Sequence, residues 1–222
     1  MSMKFNPGKV ILAVALSIVS TYAIAAPKFV AGTVPHYYEF NPQENPNKYY
    51  WCGHAALKIV GIYVTGKNKA LGQLHSPLFW NNTANYRNDA QCFAGSPGRY
   101  CASLLDLWYG VQQTNQNSIN NGYNRPNSVK YIFTGNMPGF YQKVKDGINN
   151  NWPVISPSRV MYGRDGHFWV ITGYEDMSTV ATSKLYVRNV ERASPVYTNY
   201  DDTFTVKDFF DGSANGQLLI MK

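Results

Sequence analysis

Tyr49-Tyr50-Trp51-Cys52-Gly53-His54-Ala55-Ala56-Leu57-Lys58-Ile59-Val60 joins an aromatic run to a helical pattern through a single Cys-Gly pair. From Cys52 to about Tyr63, apolar residues fall at Ala55, Ala56, Ile59, Val60, Ile62 and Tyr63. That spacing describes a helix with one broad buried face. Gly66 is placed to follow its end. The pattern therefore puts a thiol at the first turn of a buried helix. A helix N-terminus favours negative charge, because its unpaired N–H groups and its dipole point there, so the thiol is expected to ionise more easily than usual. Gly53 leaves room for a substrate backbone, and the Cys52 N–H would face an oxyanion formed on an attacked carbonyl.

A thiol nucleophile needs a proton acceptor. The chain has four histidines: His36, His54, His75 and His167. His36 lies in an extended lead-in and His75 in a polar loop, and both read as solvated. His54 follows Cys52 by two positions, which on a helix points it to another side, so it flanks the cleft. His167 opens the apolar strand Phe168-Trp169-Val170-Ile171-Thr172-Gly173-Tyr174, where a side chain can face a cleft. The imidazole in turn needs an acceptor for its other N–H. Asn189, in Leu185-Tyr186-Val187-Arg188-Asn189-Val190, interrupts an alternating strand that a hairpin would return alongside His167. Asp176 sits near a turn, and Asp201 and Asp202 read as surface.

The remaining elements follow from pattern. Residues 27–48, with Pro35, Pro42 and Pro46, form an extended lead-in, of which residues 26 to about 42 are either a short pro-arm or a strand clasping the domain. Residues 103–110 read as a helix, 112–128 as an Asn- and Gln-rich surface excursion, and 140–148 as a helix. Strands are expected at 131–133, 152–156, 168–174, 184–190 and 217–221, with 204–210 partly extended. Helices come first and antiparallel strands second, an α+β arrangement. No internal repeat or long linker divides the chain.

Lys4 and Lys9 precede the apolar residues 10–19, and Ala23-Ile24-Ala25 offers a small-x-small cleavage site. This is the layout of a signal peptide over residues 1–25, leaving 26–222 as one domain that is secreted or periplasmic. The apolar run is shorter than the roughly 20 residues a membrane-spanning helix needs, so no stable membrane insertion is expected. The net charge of +7 is carried by scattered basic residues with no stripe suited to nucleic acid. Of three cysteines, Cys92 and Cys101 bracket a short loop rich in Gly and Pro, and a disulfide between them would leave Cys52 as the odd thiol. Metal-ligand spacings and phosphate-binding glycine loops are missing from the sequence, so neither a metal nor a cofactor is expected.

Three segments together resemble the C39-like branch of the papain-fold cysteine peptidases. They are Trp51-Cys52-Gly53-x-Ala55-Ala56, residues 147–152 leading into Pro153-Val154-Ile155, and Gly166-His167-Phe168-Trp169-Val170-Ile171-Thr172-Gly173-Tyr174. The resemblance covers roughly residues 43–190. It implies a papain-like fold, with the helix that carries the nucleophile in an N-terminal helical half and an antiparallel sheet in the C-terminal half. It implies catalytic Cys52, His167 and Asn189, and a peptide or protein substrate. His54 stands where the family has Pro, and Asn189-Val190 where it has Asp-Pro. The family's oxyanion glutamine falls six residues before the cysteine, here Pro46. Gln43 would serve through a longer loop, with Asn45 and Asn47 as alternatives. Two other activities fit the same residues. One is a peptidoglycan amidase or transpeptidase. The other is an inactive binding module using Tyr49, Tyr50, Trp51, Trp152, Phe168 and Trp169.

Overall fold

The computed structural model describes residues 25–44, 51–74, 107, 111, 123, 125, 127–160, 167–213 and 216–222. Its elements run β1 (Lys28–Phe29), α1 (Cys52–Thr65), α2 (Leu71–Leu74), β2 (Val129–Ile132), α3 (Met137–Asn149), β3 (Val154–Ser158) and β4 (His167–Glu175). They continue with β5 (Lys184–Arg188), β6 (Asp202–Thr205), α4 (Val206–Gly212) and β7 (Gln217–Ile220). The described strands form one antiparallel sheet in the order β2-β7-β3-β4-β5-β6, with β1 also paired to β4. The protein is thus α+β, as its pattern implied.

Helix α1 begins at Cys52 and ends at Gly66, whose φ of 69° and N–H bond to the Ile62 carbonyl close the last turn. A left-handed residue there is what glycine permits at least cost. Ala55, Ala56, Leu57, Ile59 and Val60 are fully buried, and α1 packs on β4 and β3. Gly61 is dictated by packing, since a Cβ there would stand 2.0 Å from the Tyr123 ring.

Strand β4 is the spine of the sheet. Its residues 167–174 are all buried, which is why it reads as a continuous apolar run rather than an alternation. β3 covers one edge through Ser158↔His167 to Val154↔Ile171, and β1 takes over that edge at Gly173 and Tyr174. β5 pairs with the other edge, with an irregularity between Ile171 and Gly173. The described start of the lead-in therefore clasps β4 as a short strand. Its approach depends on Gly173, where a Cβ would lie 2.5 Å from the Phe29 ring.

Several boundaries differ from the sequence pattern. β3 runs to Ser158 with Pro157 inside it, not from Trp152 with Pro153 at its start. Pro157 pairs with Phe168 on one side only, since β7 meets β3 at Val154 and Ile155 alone; a missing N–H costs little past the end of a ladder. β5 stops at Arg188, so Asn189 lies just beyond a strand rather than within one. Residues 206–212 are a helix capped by Thr205, whose hydroxyl accepts from the Asp208 N–H at 3.1 Å. Of residues 103–110 only Leu107 is described, buried and helical. Among the described residues no helix is long and apolar enough to cross a membrane.

Candidate active site

The start of α1 and the start of β4 meet. Gly53 packs so closely on the Phe168 ring that a Cβ would stand 3.2 Å from it. The amides of Phe168 and Gly53 lie close enough to the Cys52 sulfur to favour its charged form. Phe168 follows His167 directly, so this amide ties the sulfur to the strand end that carries the imidazole. The sequence expectation of an acidified thiol does not survive the packing. Burial is the main cause that pushes the Cys52 thiol well up, and Glu39 adds to that where it is ionised. The two amides pull the other way, and the Glu191 charge is a smaller upward contribution. Desolvation disfavours the charged form more than one helix terminus favours it. Cys52 is a free cysteine that keeps part of its surface exposed.

His167 is buried, and burial lowers its pKa to about 4, although a hydrogen bond with the Asn189 side chain and the Asp202 charge both raise it. Its Nδ1 lies 3.7 Å from Glu191 Oε1, and its ring packs edge-on against Trp169. The imidazole is consequently neutral at neutral pH and able to accept a proton.

Asn189 is held from several sides. Its N–H donates to Asp201 Oδ2 at 2.9 Å. Its Nδ2 donates to Asp202 Oδ2 at 3.0 Å, and its Oδ1 accepts from the Glu191 N–H at 3.0 Å. A hydrogen bond also joins its side chain to the His167 imidazole. Asp201 and Asp202 are therefore not surface residues as their sequence context implied. Asp201 is buried and takes Arg188 Nη1 at 3.2 Å and the Val196 N–H at 3.0 Å. Asp202 also binds Arg192 Nη2 at 2.5 Å. Arg188, itself buried, donates to the carbonyls of Val34, Tyr197 and Thr198. The segment after β5 is thus folded around a buried ion pair.

The remaining residues fall as follows. His36 is not solvated: its Nε2 lies 3.9 Å from Asp201, and burial lowers its pKa against the Asp201 charge. His54 is buried beside Trp51. Asp176 lies away from the imidazole, bound to Lys145 and Tyr141. Gln43 is exposed on a turn where its N–H donates to Asn41 Oδ1 at 3.0 Å. His75, Asn45, Pro46, Asn47, Cys92 and Cys101 lie outside the described residues, and so does the disulfide expected of the last two. Among the described residues no cluster of His, Cys, Asp and Glu is suited to hold a metal ion.

Two carboxylates in the lead-in gave no sequence signal. Glu44 binds Lys58 Nζ at 2.7 and 2.9 Å and the Leu71 N–H at 2.6 Å, fastening the lead-in to α1. Glu39 is fully buried, and its N–H donates to the Val190 carbonyl at 2.8 Å. Burial, with the Glu191 charge second, raises its pKa to about 9.

An α+β protein that sets a buried thiol at a helix start against an imidazole at a strand end has the components of a thiol hydrolase. A family model of the peptidase C39-like family matches residues 33–212, and the chain belongs to that family of cysteine peptidases. No curated protein matches the chain.

Proposed function

We propose that the protein is an exported papain-like peptidase that cleaves peptide bonds through Cys52, His167 and Asn189. As the Cys52 sulfur attacks the scissile carbonyl, neutral His167 takes the thiol proton. The imidazolium then gives that proton to the departing amine, leaving a thioester on Cys52. His167 next deprotonates a water, which attacks the thioester and releases the acid and the free thiol. Asn189 keeps the ring facing the sulfur, and Asp202 fixes the Asn189 amide so that its oxygen is the acceptor.

The observation that carries this reading is the meeting of the α1 start with the β4 start, where Gly53 beside Cys52 packs on the Phe168 ring next to an imidazole that Asn189 engages. Export is supported by the basic, apolar and small-residue layout of residues 1–25. A base that charges near pH 4 sets the acid limit: activity is expected to fall as the pH drops through about 4, where His167 already holds a proton. Cys52→Ala and Cys52→Ser are expected to abolish both peptide hydrolysis and labelling at this position by a thiol-directed electrophile. Hydrolysis that persists in both variants would remove Cys52 from the mechanism.

A further inference from the structure

Attack on a carbonyl creates a negative oxygen, and hydrogen-bond donors aimed at it contribute much of the acceleration in such sites. In this chain Gln43 is exposed on its turn. The segment that carries it nevertheless brings another residue inward. Glu44 anchors the lead-in to α1 through Lys58, and ten residues earlier the Val34 carbonyl accepts from Arg188 Nη2 at 2.8 Å. Between these anchors the Glu39 N–H is tied to Val190. Val190 stands between Asn189, which engages the imidazole, and Glu191, which lies 3.7 Å from it. Glu39 is fully buried, and it lies near enough to Cys52 that a charge on it would raise the thiol pKa.

We propose that Glu39, as a neutral carboxylic acid, is the side-chain donor of the oxyanion hole, placing its O–H on the oxygen of the carbonyl that Cys52 attacks. This inference rests on the thiol-peptidase reading above. It deepens that reading by naming a catalytic residue outside the three already assigned. An ionised carboxylate could not serve, since it only accepts. It would also repel the negative charge forming on the substrate oxygen. The surroundings keep the acid protonated. Burial is the main cause, and Glu191 on the segment after β5 adds to it, so that Glu39 holds its proton to about pH 9. The other titratable groups nearby are turned elsewhere or are neutral. His36 faces Asp201 and Arg188. Tyr37 lies under Lys58 Nζ at 4.0 Å from its ring centroid. From α1 comes the protonated Cys52, and from β4 the neutral His167. A carboxylic acid held neutral by an apolar site and used as an oxyanion donor has precedent in unrelated enzyme chemistry.

The test compares Glu39→Gln and Glu39→Ala in the full chain, with an internally quenched peptide as the substrate. Gln keeps a neutral donor; Ala removes it. Glu39→Gln is expected to stay within about tenfold of wild-type kcat, whereas Glu39→Ala falls by about 10²–10³ in kcat with little change in KM. The wild type is expected to lose activity as pH rises through about 9, and Glu39→Gln to lose that limb. Both variants should still be alkylated at Cys52, which separates loss of the donor from loss of the nucleophile. Carbon-13 NMR of the glutamate carboxyls supplies a readout free of substrate, with one carboxyl of the wild type titrating near pH 9. Equal activity of Glu39→Ala and wild type, equal losses in the two variants, or a Glu39 carboxyl titrating in the ordinary range would each overturn the proposal. Hydrolysis surviving in Cys52→Ala would instead overturn the peptidase reading on which it rests.

Discussion

Asp201 and Glu39 are both buried carboxyls, and the protein handles them in opposite ways. Asp201 lies on the segment after β5 and is satisfied by pairing: Arg188, the Asn189 N–H and the Val196 N–H all donate to it. Glu39 lies in the lead-in and faces another carboxylate, Glu191, and a thiol; there burial keeps the proton on. The first arrangement builds a rigid frame that orients Asn189. The second stores a donor at the cost of stability, as functional sites often do.

Breaking the frame should have the largest effect on stability. Arg188→Met leaves Asp201 as an uncompensated buried charge. It is expected to destabilise the fold by about 3–5 kcal/mol in chemical denaturation. It should also lower activity through Asn189. A change below about 1 kcal/mol would mean that the ion pair is not what holds the segment.

Glu39 should show the opposite sign. Its folded pKa of about 9 lies above the ordinary 4.5, so its contribution to stability is fully present below about pH 4.5 and is lost as pH rises toward 9. At pH 7 the cost of keeping the proton is about 3 kcal/mol. Glu39→Gln removes that cost and is expected to be more stable than the wild type by about that amount, with the gap widening up to pH 9. Denaturant midpoints at several pH values check this, and a variant less stable than the wild type at pH 7 would break the contrast with Asp201.

The smallest effect is expected at the solvent side of the sheet. Lys145 and Asp176 pair at 2.8 Å with both side chains partly exposed. Lys145→Ala should cost under about 1 kcal/mol and leave activity intact. A loss of activity there would return Asp176 to consideration as a partner of the site.

Much of this was legible in the chain and some was not, for reasons that differ by residue. Helix α1 was readable because its apolar spacing and Gly66 agree with each other, and β4 because it is buried on both faces. Helix α4 was missed although Thr205 and Asp208 carry the spacing of a helix cap; seven residues give too few turns for periodicity to register. Cys52, His167 and Asn189 stood out as residue types in suggestive contexts. Glu39 and Asp202 did not, because what matters about them is burial and partners brought together from distant segments. The thiol expectation failed for the same reason. A helix terminus is visible in sequence, whereas the desolvation that outweighs it appears only once α1 is packed on β4.

At rest the proposed site carries no charge: a protonated thiol, a neutral imidazole and a protonated acid, with the proton moving only as the carbonyl is attacked. Thiolate ultraviolet absorbance, taken as the difference between wild type and Cys52→Ser across a pH titration, tests this most directly. No Cys52 thiolate signal is expected at any pH below about 9, because burial raises this thiol above the ordinary range. A thiolate already present at neutral pH, disappearing only near pH ~4 as in a thiolate–imidazolium pair, would contradict it.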